Sequence, residues 1–118
     1  MEFVAFVGTD KENWGQITAL INRFETDRMV LVMGKDATDF PTTSKCEKIV
    51  IDTGKSLVSL KEELLEKLRQ KKIGDFEVAL SLASGNGKEH MALISALLSL
   101  PVGIKLVIYT KEGVQFLT

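Results

Sequence analysis

Residues 81–98 read SLASGNGKEHMALISALL, and the pattern changes register in the middle. Up to Leu82 the apolar residues alternate as in a strand, and from Lys88 they follow a helix. Between them stand Ser84, Gly85, Asn86 and Gly87, with Lys88 and His90 at the mouth of the helix. Glycines at such a junction turn the chain, or they bare backbone N–H groups for an anion at a helix N-terminus.

Working outward, the same strand-then-helix unit recurs. EFVAFV (2–7) is a short β-rich apolar run stopped at Gly8, as in a strand buried on both faces. A helix over about 13–25 spaces Trp14, Ile17, Leu20, Ile21 and Phe24 along one face. RMVLVM (28–33) is a second strand ending at Gly34, and the polar KDATDFPTTSKCEK, with Pro41, is loop with at most one helical turn. KIVIDT (48–53) is a third strand. A helix over about 55–72 lines up Leu57, Leu60, Leu64 and Leu68, and its lysines alternate with glutamates as on a solvated face. FEVALSL (76–82) is the fourth strand. The helix over about 88–100 is apolar on nearly every side, so sheet must cover one flank and something else the other; Trp14 and Met91 read as core. GIKLVIYT (103–110) and VQFLT (114–118) flank KEG, a hairpin with Gly113 at a positive-φ position. This order predicts a single α/β domain over 1–118. It is a three-layer, Rossmann-like, doubly wound and mostly parallel sheet of about six strands, ending in an antiparallel hairpin.

The chain has 118 residues, 45% hydrophobic and 26% charged, with a net charge of −1. That balance argues against a broad grip on DNA or RNA but leaves room for a local anion site. One cysteine, Cys46, and one histidine argue against a disulfide framework, a metal site and any cofactor held by such ligands. Cys46 also lacks a neighbour to lower its pKa for nucleophilic use. No run is long enough to span a bilayer, and MEFVAFVGTDK begins as a strand rather than a signal segment, which reads as cytoplasmic.

In doubly wound sheets ligands bind beyond the carboxyl ends of the strands. Here those ends read VGTDK, MGKD, DTGKS and SGNGK, each a glycine with a lysine, together forming a rim suited to an anion. DTGKS is not a P-loop, because the glycine required five positions before Gly54 is Ile49. Asp52 and Ser56 instead turn the chain and cap a helix. GNGKEH has His90 where a dinucleotide fingerprint needs its third glycine. As a phosphate cradle it is better, with successive N–H groups from Ser84 to Gly87 and Lys88 at a positive helix end; Glu89 opposes this. Asp10 and Glu12 could form an acid–base or metal pair, but beside the start of the first helix they read rather as helix-favouring charges. His90 is either a general base or an inert residue of the first turn.

Ser84, Gly85, Lys88 and Met91, set between a strand and an apolar helix, resemble the signature loop of CRISPR-associated Rossmann fold (CARF) domains. FVGTD after the first strand is similar to that family's second ligand loop, and the terminal hairpin fits as well. Asn86 separates glycines that are often adjacent in the family, and the order of elements matches over nearly the whole chain. The resemblance implies a homodimer binding one cyclic oligoadenylate across its twofold axis through Gly8, Thr9, Asp10, Ser84, Gly85, Asn86, Gly87 and Lys88. The charge balance and the lack of a long apolar run add the expectation of no direct DNA binding by this chain and no membrane partner. An alternative the resemblance implies is a metal-independent ring nuclease, in which the ribose 2′-hydroxyl attacks the adjacent phosphorus to leave a 2′,3′-cyclic phosphate. Thr9 would then position the hydroxyl or phosphate, and Lys88 would stabilise the transition state. A third possibility is a Rossmann-like interaction module whose rim glycines only turn the chain.

Overall fold

In the computed structural model, which describes residues 1–73 and 76–118, alternation along the strands decides which side chain enters which layer. The strands are β1 (Glu2–Val7), β2 (Arg28–Gly34), β3 (Cys46–Ile51), β4 (Glu77–Ser81), β5 (Gly103–Thr110) and β6 (Gly113–Phe116); the helices are α1 (Trp14–Arg23), α2 (Leu57–Gln70) and α3 (Gly87–Leu98). They form one sheet in the order β3-β2-β1-β4-β5-β6, parallel except for the β5–β6 hairpin. From β1 the chain builds first toward β3 and then, after α2, toward β6. The reversal of direction therefore falls between β1 and β4.

Every residue of β1 is buried. Val4 and Phe6 join Val30, Val32, Leu60, Leu64, Leu93 and Leu97 on the face covered by α2 and α3. Phe3, Ala5 and Val7 join Met29, Leu31, Met33, Ile17 and Leu20 on the face covered by α1. This is the predicted three-layer architecture, and Gly113 takes the expected positive φ of 103° in the hairpin.

The differences have physical causes. The β2–β3 connection is polar in composition but anchored: after a 3-10 turn at Lys35–Ala37, Phe40 is buried edge-on against Trp14, with ring centroids 5.1 Å apart. Met91 is not core. It is 57% exposed on the outer flank of α3, because α2 and the sheet already occupy the flank that carries Ala92, Leu93, Ala96 and Leu97. The α2 lysines are only partly a solvated face: the Lys67 ammonium reaches the Val50 carbonyl of the edge strand β3 at 2.6 Å, and Lys71 pairs with Glu47. A capped edge strand is a poor template for pairing with another chain.

Candidate functional site

The carboxyl ends of β1 and β4 are drawn together by two glycines. A Cβ on Gly8 would lie 2.7 Å from the Gly85 Cα and 2.8 Å from its nitrogen, so the two loops touch backbone to backbone. Gly85 has φ +100°, and a Cβ there would meet the Phe6 ring at 2.8 Å. Hydrogen bonds fix the contact. Gly8 N–H donates to Ser84 Oγ at 2.8 Å, and the Ser84 hydroxyl donates to Asp10 Oδ1 at 2.6 Å. Gly85 N–H reaches the same carboxylate oxygen at 3.0 Å, while the Asn13 amide donates to Oδ2 at 2.8 Å. Partial burial pushes the Asp10 carboxyl up. The hydrogen bonds from Ser84, Asn13 and Gly85 outweigh it and hold the group below the usual carboxylate range. Trp14 Nε1–H ties the loop to α1 through the Gly8 carbonyl at 2.8 Å.

Beyond Gly85, Asn86 caps α3. Its side chain accepts from Glu89 N–H, and the Glu89 carboxylate accepts from Asn86 N–H, both at 2.9 Å. The N-x-x-E spacing carries the signal for this reciprocal box. His90 Nε2 lies 2.6 Å from the Ser84 carbonyl, an acceptor only, so this ring nitrogen carries the proton. The ring also stands edge-on to Phe6. His90 thus clamps the turn it follows, a role that first-turn placement alone does not reveal.

These contacts narrow the expected cradle. Of the successive N–H groups from Ser84 to Gly87, those of Gly85 and Asn86 already serve carboxylates of the chain itself. The first-turn donors left without an acceptor among the described residues are the exposed Gly87 and Lys88 amides. Thr9 is exposed at the tip of the β1 loop, and Ser84 is fully buried beneath it. The Lys88 ammonium leans across to the Thr53 carbonyl after β3, at 3.0 Å. Of the four rim lysines, Lys11 pairs with Asp39 and Lys55 with Glu63. Lys35 and Lys88 have no carboxylate partner among the described residues. A polar depression of about 310 Å³, lined by Lys35, Asp36, Asp52 and Thr53, lies between the carboxyl ends of β2 and β3. Asp52 and Ser56 do turn and cap: Gly54 N–H donates to Asp52, and Ser59 N–H to Ser56.

Among the described residues no group of three or more His, Cys, Asp or Glu side chains is placed to hold a metal ion. No helix among them is long and apolar enough to cross a membrane. The chain matches no family model and no curated protein.

Proposed function

We propose that this protein is a CARF-like domain that binds a cyclic oligoadenylate as a homodimer, in CRISPR-type antiviral signalling in the cytoplasm. The observation that carries the reading is the Gly8–Gly85 contact. It brings the two loops of the resemblance together at the point where the sheet reverses direction, where open α/β sheets take ligands. Phosphodiester oxygens would meet the Gly87 and Lys88 amides at the positive end of α3, where each negative charge gains about 0.3–1 kcal/mol. The Lys88 ammonium is held only by a neutral carbonyl, so a phosphate is its better partner. Asp10 stays ionised on its bonds from Ser84 and Gly85, so the phosphates would sit on the Gly87 and Lys88 side of the junction, away from its carboxylate.

A second copy has a suitable surface beside this crevice. Met91 and Leu98, 57% and 66% exposed, lie seven residues apart on the outer flank of α3. Leu117 at the end of the hairpin is 62% exposed and hydrogen-bonds opposite Leu106. A twofold axis through this surface would set two α3 mouths on one ligand, as a cyclic ring requires.

The second reading, an interaction module without a nucleotide, draws on the consumption of the Gly85 and Asn86 amides by Asp10 and Glu89. Calorimetry with cyclic tetra- and hexa-adenylate, followed by product masses, separates the readings. Binding with intact ligand is the expected outcome, and Lys88→Ala should weaken it at least tenfold without altering thermal unfolding. Linear products would establish turnover, with Thr9 and Lys88 as the candidates to carry it. No heat with either ring would leave the interaction module.

A further inference from the structure

β4 and β5 run in register from Glu77↔Gly103 to Leu80↔Leu106 and then part. β5 continues to Thr110 paired only with β6, and the Tyr109 N–H and C=O on its β4 side are held by the Gln16 carboxamide of α1 at 3.1 and 2.6 Å. One rung earlier, the ladder has already ended at Leu80↔Leu106, and no backbone bond joins Leu82 N–H to Val107 C=O. A backbone donor and a backbone acceptor therefore stand at the gap without partners among the described residues. The gap opens into a slot of about 410 Å³ walled by Leu80, Leu82, Leu106, Ile108 and Leu117, within the size range of small-ligand sites. Ala83 on its rim leads directly into Ser84 of the β1–β4 crevice.

We propose that this slot seats a heteroaromatic base of the bound ligand, an inference that rests on nucleotide binding at the adjacent crevice. A base has flat apolar faces for the leucine and isoleucine walls, and edge nitrogens and oxygens for Leu82 N–H and Val107 C=O. An acyl chain would match the walls and strand both backbone groups. A peptide strand does not fit either, because Gln16 already holds Tyr109 and leaves a single rung to pair. With the ring's phosphates at the α3 mouth, the slot lies to one side, where a base must swing out from the ring.

The test is ¹H–¹⁵N NMR on the whole chain titrated with cyclic tetra-adenylate and, separately, with adenosine, following the amides of Leu82, Ile108 and Tyr109 against those of Gly87 and Lys88. Both sets should shift with the ring, and only the first with adenosine. Ile108→Trp, which fills the slot from a half-buried position, should weaken ring binding at least tenfold in calorimetry. If the ring moves Gly87 and Lys88 but leaves Leu82 and Ile108 unmoved, the base seat is overturned and the nucleotide reading stands. If adenosine shifts Leu82 and the ring does not bind, the base seat stands and the ring reading falls. Silence toward both ligands overturns both.

Discussion

Gly85 shows what a single position must supply at the β1–β4 junction. Its φ of +100° is costly for any L side chain, and a methyl group would press on Phe6 and on His90 Nε2. Gly85→Ala should lower stability by about 1–3 kcal/mol, read as a fall in unfolding temperature. Gly87→Ala, with nothing within 4 Å of its Cβ position, should be neutral or stabilising by up to about 1 kcal/mol. Asp10 adds a pH signature. Its folded pKa lies below its unfolded value of about 3.9, so its contribution is full above that pH and is lost as pH falls through the folded value. Asp10→Asn should therefore be less stable than the native chain at pH 7, with the difference shrinking toward pH 2, as chemical denaturation across that range would record. Equal differences at both ends would refute the sign. The glycines and Ser84 at this junction are legible in the sequence because a broken apolar run flanked by small residues marks a turn. What occupies their N–H groups is not. The carboxylate on Gly85 and Ser84 comes from a residue more than seventy positions away, and only the sheet order brings it there.

Among the elements, strand and helix identities follow from the change between two-residue and helical periodicity, and most glycine stops fall where strands end. Pattern fails where one element substitutes for another. Beyond Leu80 the neighbour of β5 on its β4 side is not a strand but the Gln16 side chain, whose carboxamide serves one N–H and one C=O as a strand residue would. No local spacing signals that role, because Gln16 lies on the α1 helix and reads as an ordinary polar position. Gln16→Leu should cost about 1–3 kcal/mol, since it leaves both Tyr109 groups without a protein partner. Amide exchange at Tyr109 should accelerate beyond what the global loss of stability explains. Unchanged protection there would mean that solvent or a neighbouring group replaces the carboxamide. Met91, expected in the core, lies outside it for a related reason. An all-apolar helix is equally consistent with burial on every side and with one flank left for a partner, and only the placement of α2 leaves Met91 and Leu98 outside.

At the scale of the molecule, that flank and the hairpin end decide whether two crevices can share one ligand. A stable interface takes about 800 Å² from each partner, roughly an eighth of the 6143 Å² surface of this chain. Met91 and Leu98 on the α3 flank and Leu117 after the hairpin are the exposed apolar side chains proposed for such a patch. Leu98→Glu tests this arrangement because its effects on monomer and dimer differ. In the monomer the side chain is 66% exposed near the end of α3, so a carboxylate there stays hydrated and costs little beyond a mild conflict with the helix dipole. In the proposed dimer each protomer would bring a like charge into the apolar contact, where it would be desolvated. Sedimentation equilibrium should record a dimer for the native chain and a dissociation constant raised at least a hundredfold for Leu98→Glu, about 2.7 kcal/mol, with the unfolding transition of the monomer unchanged. Cyclic oligoadenylate affinity should fall alongside dimerisation, because each α3 mouth would then act alone. A variant that still dimerises as tightly as the native chain would place the twofold axis on another face.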